Sequence, residues 1–316
     1  MTTIAAWWMW PAFFVIVFTF LSLDMFFLGG KKAHHVSTRE ALGWFILWVC
    51  LALTFNFFLW WYLQYTHPAI ADEKALEFFT GYLIEKALSV DNMFVFVMIF
   101  SYFAIPAQFQ RKILLYGVLG AIVLRFIMIS FGIFMISEFH WIFYLFGLFL
   151  IITGIKMFLF AEETPDLEKN PVLNWMRKHL RITNELHDEK FFVKHQSLFY
   201  VTPLFLVLVL IEISDIIFAI DSIPAIFSIT EDPFIVFTSN IFAILGLRAL
   251  YFLVANLSKR FHLLKYGIAL ILVFVGFKMI LAPWLEIPIY LALSVVILIL
   301  LVCILLSFHL KKKKKS

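Results

Sequence analysis

Cysteine and charge are both scarce in this chain of 316 residues: there are two cysteines, and charged residues make up 15%. Cys50 and Cys303 lie far apart, each within an apolar stretch, which excludes a disulfide framework and a thiolate metal cluster. Hydrophobic residues make up 63% and the mean hydropathy is +0.97. A chain so poor in polar surface cannot fold as a soluble globule. The net charge of +4 therefore carries no nucleic-acid signal. The opening residues, MTTIAAWWMWP, lack the basic segment and small-residue cleavage site of a signal peptide and are read as leading into a first span.

What abounds instead is aromatic and aliphatic bulk, including 40 Phe and 10 Trp, which lipid-facing helices and interfacial belts absorb. A run of about 20 apolar residues crosses the hydrocarbon layer. By that measure nine spans fall near 7–30, 39–62, 75–103, 112–137, 139–160, 198–223, 233–256, 262–282 and 285–309. The expected fold is all-α: one polytopic transmembrane domain over 1–309 with a basic tail at 310–316. Of the 25 basic residues, 19 lie in alternate connections and the tail, among them Lys31, Lys32, Arg111, Lys112, Lys259, Arg260, Lys265 and the run Lys311 to Lys315. The opposite face has only Lys74. The positive-inside rule then puts the N-terminus outside and the C-terminus in the cytoplasm, with the lysine tail anchored against anionic lipid. The polar segment 162–197 is expected to be a short helical cytoplasmic loop. His179, His187 and His195 beside Asp188 and Glu189 are what a mixed-charge loop yields by chance, in preference to a metal sensor.

The informative residues are charges inside the spans, since an acid at mid-bilayer costs about 2.5 to 3.5 kcal/mol even on the lenient scale. The third span contains Glu85 and Asp91, and the sixth contains Glu212, Asp215 and Asp221. An offset of 130 residues carries Glu85 onto Asp215 and Asp91 onto Asp221. Downstream, LGAIVLRF resembles FAILGLRAL, pairing Arg125 with Arg248, and TGIKMFLF resembles VGFKMILA, pairing Lys156 with Lys278. The pattern reads as a duplication of three spans, about 75–160 and 198–282. Three is odd, so the second copy inserts in the opposite sense, as in the inverted repeats of secondary transporters.

Lys156 and Lys278 are expected to snorkel to opposite surfaces, and Arg125 and Arg248 to face the bundle and pair with the acids. On a regular helix, residues six apart point about 120° away from each other. That misfit predicts helices interrupted between the acids, with Pro224, Ser89, Asn92, Ser214 and Ser222 easing the unwinding. Simple ion pairing accounts for single acids but not for clustering at repeat-related positions, which a bound cation or protons would relieve. Asp24, near one end of the first span, is a weaker candidate that reaches the interface instead.

Carboxylates, hydroxyls and an amide suit Mg²⁺, Ca²⁺ or Mn²⁺, whereas zinc, copper and nickel favour imidazole or thiolate. No histidine lies mid-span; His140 comes nearest. Met93, Met98 and Met128 are read as packing.

The segments EKALSVDNMFVF, IEISDIIFAIDSIPAIF and DPFIVFTSNIFAILGLRALYF, with the paired Gly-x-Lys-Met, resemble the TerC family, nearest its Alx branch, over essentially the whole chain. The resemblance implies a bacterial inner-membrane protein similar to manganese exporters. Glu85, Asp91, Glu212, Asp215 and Asp221 match the family's intramembrane acids, and the resemblance implies Mn²⁺ as the transported substrate and no organic cofactor. On this expectation Mn²⁺ binds between the third and sixth spans, the repeats rock, and returning protons reset the cycle. Three rivals stay open: a channel, a transporter of another divalent ion, and a non-transporting scaffold. An intramembrane aspartyl protease is disfavoured because its Gly-x-Gly-Asp segment is absent. The sequence leaves oligomeric state open.

Overall fold

The computed structural model describes residues 3–27, 36–139, 141–160, 167–183, 186, 189–195, 198–257, 263–285 and 287–309. Lys31, Lys32, His140, His187, Asp188, Lys259, Arg260 and the run Lys311 to Lys315 lie outside the described residues. Eleven α-helices account for nearly all of the rest: α1 Met9–Phe27, α2 Thr38–Thr66, α3 Ala71–Tyr102, α4 Ala107–Glu138, α5 Ile142–Leu159, α6 Pro171–His179, α7 Pro203–Phe227, α8 Pro233–Leu245, α9 Leu247–Leu257, α10 Leu264–Leu281 and α11 Ile289–His309.

Six of these, α2, α4, α5, α7, α10 and α11, are long and apolar enough to cross a membrane, and α8 with α9 adds a seventh if the bent pair is one span. The apolar part of α1, Met9–Leu23, is shorter. Helix α3 has 32 residues but is interrupted chemically by Glu77, Glu85, Lys86 and Asp91. Each expected span thus coincides with a helix or the bent pair, while length and apolarity alone qualify six or seven. The outward faces of α2, α4 and α11 carry exposed residues such as Phe57, Phe131 and Leu298, as a lipid-facing surface requires.

Helix starts follow local chemistry. Ser37 caps α2 by accepting from the Glu40 amide at 3.2 Å. Asp232 caps α8, its Oδ1 accepting from the Phe234 amide at 2.9 Å, with Pro233 supplying the fixed φ of a first helical residue. The same carboxylate accepts from the Ile4 amide at 2.7 Å and the Thr3 hydroxyl at 3.0 Å, tying the start of the chain to α8. Phe13, Phe55, Phe78 and Phe242 then join α1, α2, α3 and α8 in one aromatic cluster.

The polar segment differs from the expected helical loop. It holds α6 but also an antiparallel pair, β1 Phe192–His195 and β2 Leu198–Val201, in the register Phe192 to Val201 and His195 to Leu198. The aromatic Phe192, Phe199 and Tyr200 with the β-branched Val193 and Val201 favour a pleated strand over a helix. His179 stacks on Trp175 with ring centroids 4.8 Å apart, and Glu189 lies 3.8 Å from Lys112, so these two side chains are engaged separately.

Helices from the two halves interlock. α3 packs on α7 and α8, α7 packs on α3 and α4, and α5 packs on α10 along its length. The α5–α10 crossing is reciprocal in detail. A Cβ on Gly154 would lie 2.8 Å from the Ala269 carbonyl oxygen, and one on Gly276 would lie 2.7 Å from that of Gly147. An offset of 122 residues carries Gly154 onto Gly276 and Gly147 onto Ala269. Small residues let two apolar helices touch backbone to backbone, which is the main source of attraction between helices in lipid.

Candidate functional site

Arg125, on α4, is only 1% exposed and forms the centre of the buried polar network. Its Nη1 lies 2.8 Å from Glu85 Oε1 on α3 and donates to Ser222 Oγ on α7 at 2.7 Å. Nη1 also reaches Asn240 Oδ1 on α8 at 3.4 Å, while Nε and Nη2 span the Asp215 carboxylate on α7 at 3.5 Å each. Asn240 Nδ2 in turn donates to Glu85 Oε2 at 3.2 Å. Four helices therefore meet on one guanidinium, whose planar fork of donors suits two carboxylates at once. Glu85 and Asn240 are fully buried, and Asp215 and Ser222 nearly so.

The expectation that Arg125 pairs with the acids holds, whereas the expectation of broken helices at the acids does not. Helices α3 and α7 run unbroken through Glu85–Asp91 and Asp215–Asp221, and α7 continues past Pro224 to Phe227. The premise behind the break was that both acids of a motif serve one point. They do not. Glu85 and Asp215 turn to Arg125, whereas Asp91 lies in the field of Lys265 on α10 and Asp221 lies near Thr153 on α5. Six residues of regular helix supply that divergence without a break in either helix.

The interruption lies instead at Gly246, where α8 and α9 meet at 47°. Lys86 explains it. Its ammonium donates to the Ala243 carbonyl at 2.8 Å and lies over the rings of Phe45 and Tyr82, 5.5 and 5.7 Å from their centroids. A Cβ at position 246 would stand 2.7 Å from that ammonium, so glycine makes the room. A side chain inserted into the helical hydrogen-bond ladder is a recognised cause of a kink.

Glu212 packs against α4, where a Cβ on Gly120 would fall 2.0 Å from its Oε1, and its buried Oε2 has no hydrogen-bond partner among the described residues. Ser214 donates to Leu210 of its own helix at 2.7 Å, and Ser89 and Asn92 are buried on α3 outside the contacts of Arg125. Arg248 is buried at the start of α9 beside the Gly246 bend. Asp24 lies on α1 with its side chain outside the described set. Lys156 is exposed as expected, but Lys278 turns inward, donating to the Ser228 carbonyl at the end of α7. Among the described residues no three His, Cys, Asp or Glu side chains are gathered as a metal ion would need.

Two participants escaped the sequence reading. Asn240 belongs to Thr238-Ser239-Asn240, three polar residues in the middle of an apolar run, a signal visible in the sequence. Glu77, two turns before Glu85, is 5% exposed and accepts from Thr230 Oγ1 and from Lys74 Nζ, the latter at 2.9 Å. It sits in the lining of a cavity of about 730 Å³ at the end of the bundle formed by the start of α3, the α7–α8 turn and the α10–α11 turn. A smaller cavity of about 330 Å³ opens at the α3–α4 turn, beside Gln110 and Tyr251.

The model of the integral membrane protein TerC family matches residues 70–315, which contain every candidate site acid named above except Asp24. The chain is 52% identical over 308 residues to a protein of Escherichia coli strain K12, covering 97% of this chain and 96% of that one. Its counterpart in Salmonella typhi is 51% identical over the same length and coverage, and both carry the provisional name membrane-bound redox modulator Alx. A Myxococcus xanthus membrane protein named STKORF319 is 46% identical over 288 residues, covering 91% of this chain and 88% of that one. No solved structure matches the chain. With acids, arginine and the α5–α10 glycines all inside the matched region, this chain belongs to the TerC family of integral membrane proteins, beside the Alx proteins.

Proposed function

We propose that this protein exports a hard divalent cation, Mn²⁺ by the family resemblance, across a bacterial inner membrane, with its N-terminus outside and its C-terminus in the cytoplasm. The observation that carries the reading is the meeting of Glu85 and Asp215, equivalent positions of the two halves, on one buried point. Two carboxylates gathered on one guanidinium bring like charges together in a low-dielectric interior, an arrangement that a visiting cation or proton would relieve. The reciprocal packing of α5 on α10 supports the inverted repeat, which gives such a site matching access from both sides.

Asp91 and Asp221 each stand six residues, about 9 Å of helix rise, along their own helix from Glu85 and Asp215, and Ser222, next to Asp221, still touches Arg125. In the proposed cycle the cation meets Asp91 on the cytoplasmic side, exchanges with Arg125 for the Glu85–Asp215 pair, and leaves past Asp221. Arg125 closes the centre behind it. Protons binding the vacated carboxylates would complete an exchange. An all-oxygen ligand set favours Mn²⁺, Mg²⁺ or Ca²⁺ over softer ions.

The test is cation flux into liposomes holding the purified protein, measured for Mn²⁺, Mg²⁺, Ca²⁺ and Zn²⁺ with and without a pH gradient. Protein-dependent Mn²⁺ flux that responds to the gradient supports proton-coupled transport. Flux indifferent to it favours a channel, and no flux of any ion favours a scaffold.

A further inference from the structure

The 730 Å³ cavity and the Arg125 network are joined by a polar row that the function above does not require. On α3, Glu77, Gly81 and Glu85 succeed one another at intervals of four, the spacing that keeps residues on one face of a helix. Each faces a polar group of the other half. Glu77 meets Thr230. A Cβ on Gly81 would come within 3.0 Å of Ser239 Oγ. Glu85 accepts from Asn240. Thr230, Ser239 and Asn240 are all buried. Along the seam of α3 with α8 and the turn before it, a polar group thus recurs at each turn, carboxylate, hydroxyl, carboxylate and amide, over about 12 Å.

The cavity end of the row is acidic. Glu73 and Glu231 stand at its exposed rim and Glu77 at its floor, three carboxylates against Lys278, which donates to the Ser228 carbonyl, and Lys74, which pairs with Glu77 at 2.9 Å. Hydroxyls and carboxylates are hard-cation ligands, and glycine opposite Ser239 leaves open the room that a side chain would take.

We propose that this cavity is a cation vestibule and that the α3–α8 seam is the passage between it and Glu85, with Glu77 as the relay carboxylate on the vestibule floor. The proposal rests on the transport reading and extends its outer route from Asp221 and Glu85 at the centre to the surface.

Mn²⁺ itself is the probe. In a Cys50→Ser/Cys303→Ser background, Trp284→Cys places a nitroxide on the exposed residue between Pro283 and Leu285 of the cavity wall. Mn²⁺ bound at the floor speeds the label's relaxation. Glu77→Gln is expected to weaken that effect roughly tenfold or more in Mn²⁺ concentration, and Glu77→Asp, which keeps the charge, to retain most of it. Gly81→Val is expected to leave the relaxation effect intact while cutting Mn²⁺ flux roughly tenfold or more. No relaxation effect, or one indifferent to Glu77→Gln, overturns the vestibule. Unchanged flux in Gly81→Val overturns the passage while the transport reading stands. A vestibule effect without any wild-type flux overturns transport and passage together.

Discussion

Glu85 and Asp215, 130 positions apart in the chain, are held on the same guanidinium: Arg125 Nη1 lies 2.8 Å from Glu85 Oε1, and its Nε and Nη2 lie 3.5 Å from the two oxygens of Asp215. With four helices meeting there, the network is both the mechanical centre of the bundle and the place where charge could be exchanged.

Removing Arg125 alone should therefore cost more than removing its partners with it. Arg125→Gln leaves two buried carboxylates facing each other, a loss of about 3 to 5 kcal/mol for a broken buried pair. The triple variant Arg125→Gln/Glu85→Gln/Asp215→Asn should recover much of that stability. Thermal unfolding in detergent checks both, and equal destabilisation of the two would count against an electrostatic origin.

At the α5–α10 crossing, Gly276→Ala must push a methyl group toward the Gly147 carbonyl at 2.7 Å and Ile151 at 2.8 Å. Backbone does not yield as a flexible side chain does, so a penalty of about 1 to 3 kcal/mol follows. Gly43, with nothing within 4 Å, is the control position, and Gly43→Ala should be neutral or slightly stabilising. Equilibrium unfolding of the two variants decides it.

Much of this was legible in the sequence. The 130-residue correspondence of the acids, the helical spans and the pairing of Arg125 all follow from composition and spacing. What could not be read was the direction of each acid. Sequence spacing says that Glu85 and Asp91 diverge by about 120°, but not whether the helix bends to correct the divergence or a second partner satisfies it. Lys265 and Thr153, on helices distant in sequence, are the polar groups that lie near Asp91 and Asp221. The same holds for Lys86: as a sequence feature it is one more intramembrane charge, and only the fold brings it to Gly246, where the break occurs.

The name borne by the Alx relatives points to redox chemistry, which in this chain would have to involve its two thiols if it ran through cysteine. Cys50 is exposed on α2 and Cys303 half-buried on α11, and neither is in a disulfide. The transport reading predicts that Cys50→Ser/Cys303→Ser keeps wild-type Mn²⁺ flux. Loss of flux in that variant, with the fold intact, would shift the account toward thiol chemistry.

Protons and divalent cations compete for the same carboxylates. Lowering the pH on the loading side should slow uptake by reducing the ionised fraction, and lowering it on the far side should speed release and reset. Flux measured with each face buffered separately checks the two signs, and an equal response to both faces would contradict exchange.

The most direct measurement is Mn²⁺ flux through Asp91→Asn/Asp221→Asn in liposomes, because this pair leaves every contact of Arg125 untouched and so separates function from stability. The account predicts a folded protein whose flux falls roughly tenfold or more; flux equal to wild type would contradict it.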